Sequence, residues 1–338
     1  KNIGFLMWLC AGITSLPVWV SFKYSHLIDK LIKVIVTMLI QRSQSAGNFL
    51  TFSNVNESTS ETLRDKSVIK KISVHVPTHL KPSNDADFGH YLAGLIDGDG
   101  HFSKTPQIVV VFNELDASLA YFIKGKIGYG NVYKVKIKKA VILVVSNQAG
   151  IKKVLELING KLRSQNKLDQ IKNNILLNSY FKTFTHFNVN TNVSLNNYWL
   201  SGFSDADASF QIKLITRRAR GSASQNKIEV RLNFQIDQKK NDLLILIKQF
   251  LGGNIGYRKS QHTYYYGSTS FGSAKKVINY FDKFHLLSSK HVNYLKWRKT
   301  YILIQNKEHL TMSGLTKITK LKNTMNRNLP LASDVNNG

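Results

Sequence analysis

The chain repeats itself, and this repetition restricts what it can fold into more than any other feature. The run Leu92–Gly100 (LAGLIDGDG) returns as Leu200–Ala208 (LSGFSDADA), with Asp99 and Asp207 in matching places 108 positions apart. Further along, Ile123–Gly128 answers Ile247–Gly252 at a spacing of 124, and Asn166–Ile171 answers Ser289–Tyr294 at 123. Three landmarks in one order define a duplicated domain, with extra residues in the second copy between the first two landmarks.

Within each copy the pattern reads helix, strands, helix, strands, helix. In the first copy, strands are expected at Gln107–Phe112 and over Val132–Val145. The latter alternates Val132, Lys134, Lys136 and Lys138 on one side with Tyr133, Val135 and Ile137 on the other. In the second copy, strands are expected at Phe210–Ile215, Lys227–Ile236, Gly256–Arg258 and Tyr264–Ser270, and helices at Leu243–Phe250 and Ala274–Phe281. This is an α+β pattern with one sheet per copy.

The acidic run has a physical logic of its own. Gly94 and Gly202 allow two apolar helices to approach backbone to backbone, which would bring Asp99 and Asp207 together about a pseudo-twofold axis. Each carboxylate would then sit at the negative end of a helix dipole and beside a second negative charge, so a cation is expected between them. Hard oxygen donors with room for water and phosphate suit Mg²⁺ (or Mn²⁺). A calcium-binding helix–loop–helix starting at Asp97 is excluded, because Phe102 and Ile108 stand where that loop needs Gly and Glu. His90, His101 and His186 read as surface or packing residues, since the ten histidines show no zinc spacing.

Charge points to a polyanionic partner, with a basic ribosomal or membrane-surface protein as the alternative reading. Forty-seven Lys and Arg against twenty Asp and Glu give +27 over 338 residues, far more than solubility needs, and nucleic acid is the commonest polyanion. A single cysteine, Cys10, excludes a disulfide framework and a Cys-rich zinc site. Arg217, Arg218 and Arg220 are expected at a hairpin tip suited to phosphate. Lys134, Lys136, Lys138, Lys213, Lys227 and Arg231 are expected along strand faces that could enter a DNA groove.

Leu92–Gly100 matches the motif of the LAGLIDADG homing endonucleases in eight of nine positions, and Leu200–Ala208 is a looser second copy, so the region from Phe88 to Trp297 resembles that family. The resemblance implies a monomeric pseudo-dimer of tandem αββαββα repeats that straddles double-stranded DNA and makes a metal-dependent double-strand break. It implies metal binding by Asp99 and Asp207 with the backbone carbonyls of Gly98 and Ala206, while Asp97 and Asp205 cap the helix ends. Catalytic roles carry over to Lys167 and Lys290, and a solvent-ordering role to Gln238, with Glu114 expected at the matching place in the first repeat. It also implies a mitochondrial, intron-encoded protein, and an alternative in which the same fold acts as a maturase on intron RNA.

The expected organisation is an amino-terminal extension over residues 1–85, repeats over 86–180 and 198–312, a linker over 181–197 and a tail over 313–338. Residues 3–20 are apolar and nearly long enough to span a bilayer. A start at Lys1 suggests a fragment or a reading frame continuous with an upstream exon.

Overall fold

The structure, a computed structural model, describes residues 71–181, 184, 186–217 and 227–325, with the side chains of Lys136 and Lys227 left out. The apolar segment 3–20, Arg218 and Arg220 lie outside the described residues. Among the described residues, no helix is long and apolar enough to cross a membrane.

The first repeat runs α1 (Asp85–Asp99), β1 (Gly100–Ser103), β2 (Gln107–Asn113), α2 (Ala117–Ile127), β3 (Asn131–Val135), β4 (Ala140–Val145), α3 (Gln148–Ile158) and α4 (Gln165–Gln170). The second runs α5 (Trp199–Asp207), β5 (Ala208–Arg217), β6 (Lys227–Gln238), α6 (Asp242–Leu251), β7 (Asn254–Arg258), β8 (Thr263–Ser268), α7 (Phe271–Phe281) and α8 (Lys290–Gln305), and α9 (Met312–Asn323) follows. Each repeat therefore contains αββαββα, as expected. The two antiparallel sheets have the same topology, β1-β2-β4-β3 and β5-β6-β8-β7.

Alternation along the strands sorts their side chains. Ile108, Val110, Phe112, Val141, Leu143 and Val145 are buried against the helices, and so are Phe210, Ile212, Leu232, Phe234 and Ile236. The other face of each sheet is open.

Val132–Val145 is two strands instead of one. A helical turn at Lys136–Lys138 and a positive φ of 46° at Lys139 reverse the chain into a hairpin. Periodicity carried across this turn is misleading: Ile137, expected on the greasy side, is 98% exposed.

The motif helices α1 and α5 pack at the centre. The middle of helix α1, from Tyr91 to Asp97, is buried on every side because the run Leu92–Ile96 carries no polar side chain. Its start is capped by Asn84, whose side chain accepts from the Asp87 amide at 2.8 Å. A Cβ on Gly94 would stand 1.9 Å from the Trp199 carbonyl oxygen, and one on Gly202 would stand 2.0 Å from that of Tyr91. The contact is reciprocal, so both glycines are needed for the helices to touch.

Residues 72–79 run as a strap over the second repeat. Gln305 bonds both the amide and the carbonyl of Ile72, at 2.9 and 3.0 Å. The buried Arg298 donates to the carbonyls of Ser73 and His75 at 3.0 Å while paired with Asp282.

Candidate active site

Both motif helices end on an acid followed at once by a strand, so Asp99 and Asp207 sit where helix, sheet and partner helix meet. Gly98 lets them come close: a Cβ there would stand 2.3 Å from the Ala206 Cβ and 2.9 Å from Asp207 Oδ2. Loss of water raises the Asp207 pKa to about 6, and the neighbouring charge of Asp99 adds to this against Lys290, Gln238 and Lys167. Asp99 is solvent-accessible, yet desolvation raises its pKa too, opposed by Lys290 and Lys167.

Lys167 and Lys290 flank the pair but bond carbonyls that do not match between the repeats. Lys167 Nζ donates to the Gly100 carbonyl. Lys290 Nζ donates to the carbonyls of Ala206 at 2.6 Å and Ser204 at 3.3 Å. Partial burial lowers the pKa of both lysines, and the acids oppose this. Gln238 donates to Asp207 Oδ2 at 2.6 Å.

Asp97 and Asp205 do more than hold their own helix ends. Asp97 accepts from the amides of Arg163 and Ser164 at 2.8 and 3.1 Å and from Trp199 Nε1 of the other motif helix at 2.8 Å. Asp205 accepts from the Leu287 amide at 2.7 Å, from the Ser288 hydroxyl, and from the Tyr91 hydroxyl at 2.8 Å. Each therefore ties its helix to the lysine-bearing segment of its own repeat and to the helix of the other.

The repeats differ at one place that matters. Gly100 pairs with Val110, and its counterpart Ala208 pairs with Ile236. Two residues on, the position matching Gln238 is Phe112, not Glu114. Glu114 instead begins a helical turn beyond the strand and forms an ion pair with Lys134. Phe112 is 6% exposed and lines a cavity of about 260 Å³ together with Asp99, Asp116 and Lys290. Sequence counting misplaced this correspondence because only the ladder fixes it. Asp116 was not anticipated: its buried carboxylate accepts from the Ser289 amide at 2.6 Å, across the repeats and at the start of the Lys290 helix. Nothing in its sequence surroundings marks it.

The basic residues divide. Lys213 and Arg231 are Cα partners on the open face of the second sheet, a like-charge pair that favours an anion or acceptor nearby. Arg231 and Arg217 both bond Glu229, holding its carboxyl down at about 2. Lys138 is exposed at the β3–β4 turn. Lys134 is tied to Glu114, Lys136 is described by its backbone alone in the same turn, and Lys227 by its place at the start of β6. Sequence reasoning missed a polar row on this face: Asn233 donates to Gln211 and Gln235, and Gln235 and Arg258 bond Asp237. The period-two run Glu229, Arg231, Asn233, Gln235, Asp237 was its signal.

The donor set fits a divalent cation of the magnesium type. Asp99 and Asp207 supply hard, mutually repelling oxygens that leave positions for water and phosphate, although Lys290 already engages the Ala206 carbonyl. Among the described residues, no three His, Cys, Asp or Glu side chains form a metal cage, so the remaining ligands would come from backbone, solvent and substrate.

Fold and site define a class of protein: an internally duplicated α+β chain whose two acidic helix ends form one shared centre. A family model described as LAGLIDADG endonuclease matches residues 200–301. The cox1 intron-2 37.2 kDa protein of Schizosaccharomyces pombe is 57% identical over 94% of this chain and 97% of its own length. The intron-encoded DNA endonuclease aI3 of Saccharomyces cerevisiae is 29% identical over 64% of each chain. The intron-encoded RNA maturase bI4 of the same yeast is 28% identical over 53% of this chain and 26% of its own. Among solved structures, the meganuclease I-SmaMI bound to uncleaved DNA with calcium ions aligns with a TM-score of 0.55 at 24% identity, over 71% of this chain and 99% of that one. The chain belongs to the LAGLIDADG endonuclease family.

Proposed function

We propose that this protein is a site-specific endonuclease acting on double-stranded DNA with a divalent cation, Mg²⁺ or Mn²⁺, and that it is encoded in a mitochondrial intron. The observation that carries the reading is the convergence of Asp99 and Asp207, at the ends of touching helices, with one lysine beside each. A cation held there by the two carboxylates and the Gly98 carbonyl would supply Lewis acidity at a phosphodiester and ease ionisation of water. Lys167 and Lys290, fixed by backbone carbonyls, would offset the charge that develops on the phosphate. Gln238, anchored on Asp207, would orient the attacking water. Asp97 and Asp205 hold this geometry by locking helix to helix. One chain supplies both acids, so the reading includes action as a monomer, with residues 86–180 and 198–312 as its two repeats.

The test is a plasmid carrying the joined exons of the intron that holds this reading frame, incubated with the full chain and Mg²⁺ or with EDTA. Metal-dependent linearisation is expected, and it should be lost in Asp99→Asn and Asp207→Asn. A folded protein that leaves the plasmid intact would sink the endonuclease reading. The likeness to the RNA maturase favours one alternative, assistance of intron RNA splicing through the same fold. Splicing of the host intron that both Asp variants still promote would establish it.

A further inference from the structure

The open faces of the two sheets occupy matching places, each beginning one residue after a site acid, but they differ in chemistry. On the second, Lys213, Arg231, Asn233 and Gln235 present charged and amide groups. On the first, the ladders put Val109, Val111, Ile142, Val144 and Tyr133 together at the centre. Val111 is 42% and Tyr133 53% exposed, and Val109, Ile142 and Val144 are half-buried. No charged group stands among these five. An open apolar sheet face marks a surface that meets a partner.

Resting on the DNA-binding reading, we propose that the first repeat recognises its half-site through thymine methyl groups, so that the target is chemically lopsided. The half under β1–β4 is rich in thymine in the major groove, and the half under β5–β8 is read by hydrogen bonds to guanine and adenine. The thymine C5-methyl is the apolar group that a major groove offers a valine or isoleucine. In the second repeat the positions matching these five carry Gln235, Asp237, Tyr265, Gly267 and Gly256, and further along the same face Asn233, Arg231 and Lys213 add groups that suit guanine and adenine edges. Continuity of the two faces around one acidic centre and the charge of +27 favour DNA as the occupant over a protein. RNA fits poorly, because uracil lacks the methyl and an A-form major groove is too narrow to admit a sheet.

The test needs no prior target. The full chain, with calcium in place of magnesium, is used to select duplexes from a library with 24 randomised base pairs, and the bound fraction is sequenced. One half-site enriched in thymine and the other in guanine and adenine is expected. Each thymine of the first half is then replaced by deoxyuridine. The affinity should fall roughly three- to four-fold per methyl removed, the worth of one buried methyl, while deoxyuridine in the second half changes little. Val111→Ser and Val109→Ser, on a solvent face, should flatten the preference in the first half alone. Specific enrichment with no loss on deoxyuridine substitution, or with the first half specified by guanine, would overturn the proposal and leave DNA binding standing. Failure to enrich any duplex would overturn the DNA reading as well.

Discussion

Asp207 titrates high because water is withdrawn from it while another carboxylate stands beside it. Its neutral form is favoured by the fold, so its contribution to stability is fully present below the ordinary carboxyl value of 3.8 and is lost as pH rises through about 6. In EDTA, Asp207→Asn should therefore raise the melting temperature at pH 8 by roughly 2–4 °C, and the gain should vanish near pH 4. An unchanged or lowered melting temperature at pH 8 would show that the carboxylate is already compensated. Gln238 bears on the same acid, and its counterpart in the first repeat is Phe112. Gln238→Ala should slow cutting of one DNA strand about ten- to a hundred-fold and the other less than two-fold, so that nicked plasmid accumulates. Equal slowing of both strands, followed with end-labelled duplex, would mean that Gln238 serves the whole site.

The element that decides assembly is the helix pair. Leu92–Gly100 and Leu200–Ala208 were legible as a repeat, and so were the order of elements and the greasy side of most strands. Gly94→Ala and Gly202→Ala each drive a Cβ into a backbone carbonyl that cannot rotate away. Each should cost at least ~3 kcal/mol, read as a lower urea midpoint or loss of soluble protein. Gly125→Ala, which meets open space, is the control. The strap over the second repeat is tied more lightly. Gln305→Ala should leave the melting temperature within a few degrees but speed proteolysis among residues 71–80. Unchanged cleavage there would show that Arg298 and the His79–Leu286 bond retain the strap without Gln305. Local sequence did not reveal this strap, because its partners Leu286, Arg298 and Gln305 lie more than 200 residues away.

At the scale of the molecule, the proposed binding of DNA by a chain of charge +27 would be a counterion-release process. Affinity for a selected duplex should fall at least roughly a thousand-fold between 50 and 200 mM salt, as expected for six or more phosphate contacts. A change under ten-fold, measured by anisotropy, would mean that few of these charges reach phosphate. What the sequence alone determined was the duplication, the acids at its heart, the lysines 123 residues apart and the basic character. Each is set by residue type and spacing along the chain. Tertiary structure decided the rest: that Asp97 and Asp205 bond across the helix pair, that Asp116 reaches Ser289, that Phe112 matches Gln238, and that one open sheet face is apolar where its sister is polar. These depend on ladder register and on contacts between residues far apart in the chain. Strand pairing and helix packing fix such relations in space, where spacing along the chain does not.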